Sequence, residues 1–396
     1  MTGLNDLDLV LSDWNTGDAG PPLSVRRELL RSQPEWTADL VLVVQGVRRC
    51  GKSTLLRQII QHWVSDPARC FFINFEDPRL SEILDFKLLD EVVAFAHKRF
   101  PNKEPIYFFF DEIQNVSGWE KWLHSQVERP GQRRFAVTGS NAALLAGELG
   151  AALTGRHRTI ELFPFSLSEF RLARPNDTLE AYLEWGGFPR AVQSESKENA
   201  MALLREYFRD IIERDVREHV AARSSLALTQ LAKIVYETTG SEASLRSLAQ
   251  TMGTTVDTVR VYIDAFEAAY LVLPCPFFTF SERKRAVRPY KYYPVDLGLR
   301  TAVATRTGLD LGKRLETAVF HWLRRRESQV YFWRGQGEVD FVVVNQEGIT
   351  PYQVSWNSLE ERHTRALAEF KKEYPQSNEP VFIHRSNFET LCGDPK

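Results

Sequence analysis

The chain has 396 residues, too long for one small core and suited to two or three domains; with 50 Lys+Arg against 52 Asp+Glu its formal charge is −2, so no global basic excess advertises nucleic acid. A charged share of 26% and a hydrophobic share of 43% are those of an ordinary globular protein, and Cys50, Cys70, Cys275 and Cys392 form no CxxC, which speaks against a zinc site or a disulfide framework. No basic stretch leading into an apolar core opens the chain, and the longest apolar runs are strand-sized, so a cytoplasmic location without a membrane span is expected.

Residues 1–22 read as an acidic, loosely attached arm that ends in a Gly-Pro-Pro break before a helix near LSVRRELLRSQ. Over residues 23–165, strand-sized apolar runs alternate with helical patterns: LVLVVQG, CFFINFE, IYFFFDE and RRFAVTGS. Runs this apolar predict strands covered on both faces, hence a parallel sheet and an α/β class. Residues 166–225 turn helical, with Leu204, Phe208, Ile211 and Val220 near one face and Asp210/Arg214 and Glu213/Arg217 spaced for ion pairs. Residues 226–295 have helix-turn-helix rhythm: a short helix ends near Gly253, Thr254 or Thr255 caps a second, and a strand follows. Residues 296–396 read helix, three strands, helix, a small α/β domain.

The strongest motif is GVRRCGKST, comprising Gly46, Val47, Arg48, Arg49, Cys50, Gly51, Lys52, Ser53 and Thr54. It fits G-x-x-x-x-G-K-[ST] and lies between an apolar strand and a helix, as the motif requires. The glycines let backbone N–H groups turn inward around phosphate oxygens, and the helix N-terminus adds positive potential. Lys52 is expected to reach the terminal phosphates of ATP, and the Ser53 hydroxyl to hold Mg2+. In YFFFDEIQ a strand delivers Asp111, suited to holding Mg2+ directly or through water, and Glu112, suited to activating the attacking water. RRFAVTGSN ends in Ser140 and Asn141, either of which can touch the γ-phosphate or the water or simply cap a helix. Arg156 or Arg158 is a candidate arginine finger, in cis or from a neighbouring copy.

Together these residues resemble a family of prokaryotic P-loop ATPases of the AAA-like superfamily whose C-terminal domain carries the label DUF4143. The likeness also runs through INFEDPRL, YLEWGGFPRAV, KYYPVDLGLRTAV, GKRLETAVFHWL and YFWRGQGEVDFVV. It implies an ATPase core with extra sheet between the phosphate-loop strand and the acidic-pair strand, a winged-helix segment, and a terminal domain similar to restriction-endonuclease-like nucleases. Those nucleases hold Mg2+ with a helix acid, a strand Asp and a following [Asp/Glu]-x-Lys. The matching positions here are Glu316, Asp340, Gln353 and Ser355, so one carboxylate and the lysine are lost. Lys371 or Lys372 could supply the lysine from the next helix. A retained fold without the reaction is expected, with Asp340 in a structural ion pair.

Two segments are candidate nucleic-acid contacts. One is the second helix of the helix-turn-helix, with Thr255, Thr258, Arg260 and Tyr262 outward and Val259, Ile263 and Phe266 toward the core. The other is SERKRAVRPYKYY, where Arg283, Lys284, Arg285, Arg288 and Lys291 interleave with Tyr290, Tyr292 and Tyr293. The expected function is an ATPase whose turnover is coupled to a C-terminal half that contacts DNA. The alternative is a nucleotide-dependent switch with a protein partner, and a metal-dependent nuclease ranks last. Assembly of several copies stays open, because a finger in trans needs a neighbour.

Overall fold

The computed structural model describes residues 3–14, 25–102, 104–129, 131–139, 153, 155–220, 225–305, 310–327 and 329–392. The chain divides into two compact units, Met1–Leu162 and Phe163–Lys396.

The first unit is built on five strands: β1 (Val41–Gln45), β2 (Cys70–Asn74), β3 (Ile106–Asp111), β4 (Arg133–Gly139) and β5 (His157–Glu161). All pair in parallel in the order β2-β3-β4-β1-β5, so β4 stands between the phosphate-loop strand and the acidic-pair strand, and helices α2 (Lys52–Trp63), α3 (Phe86–Arg99) and α4 (Trp119–Glu128) follow β1, β2 and β3 in the chain. Alternate residues face opposite sides of a strand. Val41, Val43, Phe71, Ile73, Phe108, Phe110, Phe135 and Val137 form one core. Phe108 stacks on Phe71 and Phe135, with centroids 5.8 and 5.2 Å apart. The intervening Leu42, Val44, Phe72, Phe109 and Ala136 are buried as well, which is why these runs read as continuously apolar. β5 is the strand that the apolar pattern does not announce. It lies at the sheet edge, none of its residues is fully buried, and HRTIE needs only one large apolar side chain.

The start of the chain departs from expectation. Gly3–Trp14 forms a helix, α1, with Val10 and Leu11 buried in the unit's core, rather than a loose arm. It lies on β2, the opposite edge strand, where Trp14 packs on Phe72 at 5.7 Å and donates its indole N–H to Asp77 at 3.0 Å. Covering an edge strand in this way hides its surface from other chains. The helix expected near residues 23–33 contracts to one 3-10 turn, Glu28–Arg31, among the described residues.

The second unit opens with helices α5 (Leu167–Ala173), α6 (Leu179–Trp185) and α7 (Lys197–Asp210). The last continues through a π-helical turn, Ile211–Val216, into Arg217–Val220. Leu204, Phe208 and Ile211 are buried, and Glu213 pairs with Arg217 at 2.7 Å. The wide turn rotates the face, so Asp215 and Val216 are buried too. Next come α8 (Ser225–Glu237), β6 (Glu242–Ala243), α9 (Leu245–Met252), α10 (Val256–Ala268), β7 (Val272–Cys275) and β8 (Tyr290–Pro294). The three strands form an antiparallel sheet in the order β6-β8-β7. Gly253, at φ 62°, ends α9, and Thr255 caps α10 through its bond from Thr258 N–H at 3.1 Å.

After α11 (Leu297–Val303) and α12 (Leu311–Arg324) comes a four-stranded sheet of β9 (Val330–Arg334), β10 (Glu338–Asn345), β11 (Gly348–Val354) and β12 (Val381–Ile383). The order is β12-β11-β10-β9, antiparallel except for β12 on β11. Helices α13 (Glu361–Glu373) and α14 (Arg385–Cys392) complete the unit. The WGGF and VDLGL segments dock on each other through Asp296. Its carboxylate accepts from Gly187 N–H at 2.6 Å and Leu299 N–H at 2.7 Å. At Gly186, φ is +71° and a Cβ would lie 2.3 Å from Asp296 Oδ1, so only glycine fits.

Candidate functional site

β1 leads straight into the phosphate loop. Gly46 has φ +153°, and a Cβ there would lie 2.2 Å from the Leu162 carbonyl oxygen, so the loop turns where no side chain fits. Gly51, at φ 103°, is the N-cap of α2 (Lys52–Trp63), which packs on β3 and β4. The loop's backbone amides therefore gather at a helix N-terminus, the arrangement that suits an anion. Val47 and Cys50 are buried, Arg49 takes a left-handed conformation at φ 71°, and Arg48 lies 3.6 Å from Glu76. Burial pushes the Cys50 thiol up from its ordinary value, so it is not a reactive thiolate. Thr54 is exposed on the first turn of α2.

Lys52 is only 5% exposed. Its ammonium donates to the loop's own carbonyls, Gly46 at 3.0 Å and Val47 at 3.4 Å. It is thus held over the cradle rather than out in solvent. Ser53 stands beside Asp111, whose carboxylate is fully buried at the end of β3. Burial raises the Asp111 pKa, while the Thr138 and Ser53 hydroxyls work to lower it. Thr138 Oγ1 donates to Asp111 Oδ1 at 2.6 Å, and Asn74 Nδ2 donates to Oδ2 at 3.0 Å. A serine hydroxyl beside a carboxylate is a set of hard oxygens, and it fits a small divalent cation that keeps several waters.

Glu112 follows in the left-handed region, φ 56° and ψ 49°. A non-glycine residue in this region costs about 1 kcal/mol or more and persists where its surroundings hold it. Its N–H donates to Thr138 Oγ1 at 2.9 Å, and Gln114 Nε2 donates to its Oε2 at 2.6 Å. One hydroxyl on β4 thus fixes both acids of the pair. Thr138 was not singled out from the sequence. Ser140 and Asn141, the residues favoured there, lie outside the described residues. Arg27 was also missed. It is 3% exposed, and its Nη1 donates to the Cys50 carbonyl at 3.0 Å, bracing the back of the loop.

Strand register places the two candidate finger arginines along the edge strand. β5 runs parallel to β1, with Arg158 beside Leu42 and Glu161 beside Gln45. The Arg156 carbonyl accepts from Val41 N–H at 3.0 Å, at the start of β1. At about 3.3 Å per residue, Arg156 sits roughly 16 Å below the strand ends that carry the loop. It faces Glu128 at 3.5 Å instead.

In the second unit, Glu316 on α12, Asp340 on β10 and Gln353 on β11 do line one cleft, of about 720 Å3, together with Ser355. Asp340 Oδ2 accepts from Gln353 Nε2 at 2.5 Å and Val354 N–H at 2.7 Å. Lys371 does not reach in, because its ammonium donates to the Ser377 carbonyl, and Lys372 is exposed. The lysine that lines this cleft is Lys313, 2.9 Å from Glu316, while Lys291, fully buried and not part of the lining, lies 2.5 Å from Glu338. That removes Lys291 from the expected nucleic-acid patch, and Tyr292 and Tyr293 are buried as well. Arg285 is paired with Glu282 at 2.6 Å, and Arg288 lies over Phe277 at 4.6 Å. On α10, Val259, Ile263 and Phe266 are buried, and Thr255 and Thr258 bond each other at 2.8 Å.

Residues 38–171 match the AAA_14 model, an AAA domain; residues 176–310 match a domain of unknown function, DUF8612; and residues 311–393 match DUF4143. An uncharacterized protein of Haemophilus influenzae is 28% identical over 356 residues, covering 85% of this chain and 88% of its own length. One from Methanocaldococcus jannaschii is 29% identical over 359 residues, covering 84% and 78%. Among solved structures, C. elegans PCH-2 overlays with a TM-score of 0.27 at 11% identity, over 65% of this chain and 68% of that one, a level that carries no argument. The chain thus carries an AAA domain, with the phosphate loop and the acidic strand end inside the matched segment, and a DUF4143 domain toward its C-terminal end.

Proposed function

We propose that the chain binds ATP with Mg2+ on residues 46–54 and hydrolyses it. The observation that carries this reading is the shared Thr138 hydroxyl, which fixes Asp111 and Glu112 together beside Ser53 and the loop. Phosphoryl transfer to water needs positioning and electrostatics more than covalent chemistry. Lys52, leaving the Gly46 and Val47 carbonyls, would donate to the β- and γ-phosphate oxygens. Ser53 and Asp111 would hold the cation, which when bound screens charge on the phosphates. Glu112 would orient a water and accept its proton once Gln114 releases its carboxylate. An arginine that offsets charge on the transferring group would come from a second copy.

Calorimetry and phosphate release on Glu112→Gln test this assignment. The variant is expected to bind ATP with Mg2+ as the parent does and to release phosphate at least about 100-fold more slowly. Hydrolysis at the parent rate removes Glu112 from the role.

For the output, a protein partner is favoured over DNA. The groove of about 490 Å3 between α10 and residues 286–290 sets Asp264 and Glu267 beside Arg260 and Arg288. Burial, then the Asp264 charge, raises the Glu267 carboxyl to about 7. A mixed-charge groove does not attract a polyanion as a basic one would. Under this reading duplex and single-stranded DNA leave the ATPase rate unchanged, while ATP and ADP give different assembly masses. A DNA-stimulated rate abolished by salt would reverse the preference.

A further inference from the structure

The nuclease-like fold expected of the terminal domain calls for a divalent cation among its carboxylates, and the residues present do not fit one. We infer that Lys291, buried against the carboxylates that line this cleft, is their cation, so that the second unit closes its carboxylate cluster with its own ammonium and takes no divalent metal there. The side chain is fully buried on β8, far in sequence from Lys371 and Lys372 on α13. Its ammonium lies 2.5 Å from Glu338 Oε1 and 3.9 Å from Glu316 Oε1. Asp340 adds its attraction. Although burial works to lower the Lys291 pKa, Glu316, Glu338 and Asp340 together hold it above its ordinary value.

Most of the other carboxylate oxygens are engaged as well, Asp340 Oδ1 being the exception among the described residues. Glu316 Oε1 accepts from the Tyr293 hydroxyl at 2.7 Å, and Oε2 accepts from Lys313 at 2.9 Å. Lys313 is tied in turn to the Gly240 carbonyl at 3.1 Å. Glu338 Oε2 faces Arg334 at 3.1 Å. Asp340 Oδ2 is taken by Gln353 and Val354. Three carboxylates therefore meet three cations of the chain itself. A hard divalent ion needs several free, charged oxygens at once. Among the described residues no group of three or more His, Cys, Asp and Glu is arranged to hold a metal. Replacing one buried partner leaves the others uncompensated, so removing Lys291 should turn the cleft into a metal site.

Mn2+ binding, followed by electron paramagnetic resonance on the full chain without nucleotide, tests this. An Asp111→Asn background weakens the cation site of the phosphate loop. That parent is expected to show no saturable Mn2+ site. Adding Lys291→Met, which keeps the side chain's length, is expected to create one site, at least about tenfold tighter than any parental binding. Mn2+ should also raise the melting temperature of that variant, and adding Asp340→Asn should abolish both effects. A parental Mn2+ site that Asp340→Asn removes would overturn the inference, as would a folded Lys291→Met protein that binds no Mn2+. The parental arm decides the matter even where Lys291→Met fails to fold. None of these outcomes depends on ATP hydrolysis.

Discussion

Thr138→Val is the sharpest probe of the acidic pair. Valine is close to threonine in shape, so the β4 packing survives and the hydroxyl alone is lost. That hydroxyl donates to a buried carboxylate at 2.6 Å and accepts from a buried N–H at 2.9 Å. A hydrogen bond to a charged group is worth about 1.5–3 kcal/mol, and a buried donor left without an acceptor costs about 1–3 kcal/mol. The two terms overlap, because Asp111 keeps Asn74 and the Glu112 N–H can shift, so a loss of about 2–4 kcal/mol in stability is expected. If about 2 kcal/mol of that is orientation felt in the transition state, kcat falls about 30-fold. KM should move little, since the loop residues that would grip the phosphates are untouched. Urea unfolding and steady-state phosphate release measure the two quantities, and Thr138→Ser, which restores the hydroxyl, should recover most of both. A Thr138→Val protein with parental stability and parental kcat would refute the view that this hydroxyl holds the pair.

Lys52→Ala should weaken ATP binding by at least about tenfold in calorimetry, the loss of a charge-assisted bond to phosphate. Arg27→Ala, which unties the Cys50 carbonyl from its brace, should raise KM more than it lowers kcat in steady-state assays. His321 should make the second unit acid-sensitive. Its Nε2 lies 2.7 Å from the Pro294 carbonyl, which can only accept, and burial lowers its pKa to about 4. A histidine with a depressed folded pKa contributes stability that is full above about 6.5 and is lost as pH falls toward 4, about 3 kcal/mol in all. Asp296, raised by burial to about 6, has the opposite sign, so the readout is the difference in urea midpoint between parent and His321→Gln across pH 4–7. A constant difference would refute the assignment.

The parts of the site that the sequence makes legible are those whose chemistry is local. GVRRCGKST sets its own backbone, and IYFFFDE is a strand buried on both faces that can only end by delivering its acids at one rim of the sheet. The misreadings share a cause, which is long-range pairing. HRTIE is an edge strand, so it needs no apolar run, and without the strand the register of Arg156 and Arg158 could not be known. Lys291 looked basic beside four other basic residues, but β8 is the middle strand of its sheet and carries the side chain into the interior. Leu9, Val10 and Leu11 sit in an acidic stretch too short to declare a helix. Only the edge of β2 gives that helix something to cover.

The same contrast bears on how nucleotide state would be transmitted. The groups that would sense ATP are few and connected through single bonds. Lys52 rests on the Gly46 and Val47 carbonyls, Glu112 on Gln114, and both acids on Thr138. A bound triphosphate would compete for Lys52, and a positioned water would compete for Glu112. Each exchange would trade one hydrogen bond for another, and so cost little. Gln114→Leu separates this latch from the chemistry. It frees the Glu112 carboxylate while leaving its N–H on Thr138, so kcat should rise by about two- to tenfold if opening the latch limits turnover. A fall in kcat would instead mean that Gln114 holds Glu112 in its working pose, and the resting contact would then be part of the catalytic geometry rather than a brake on it.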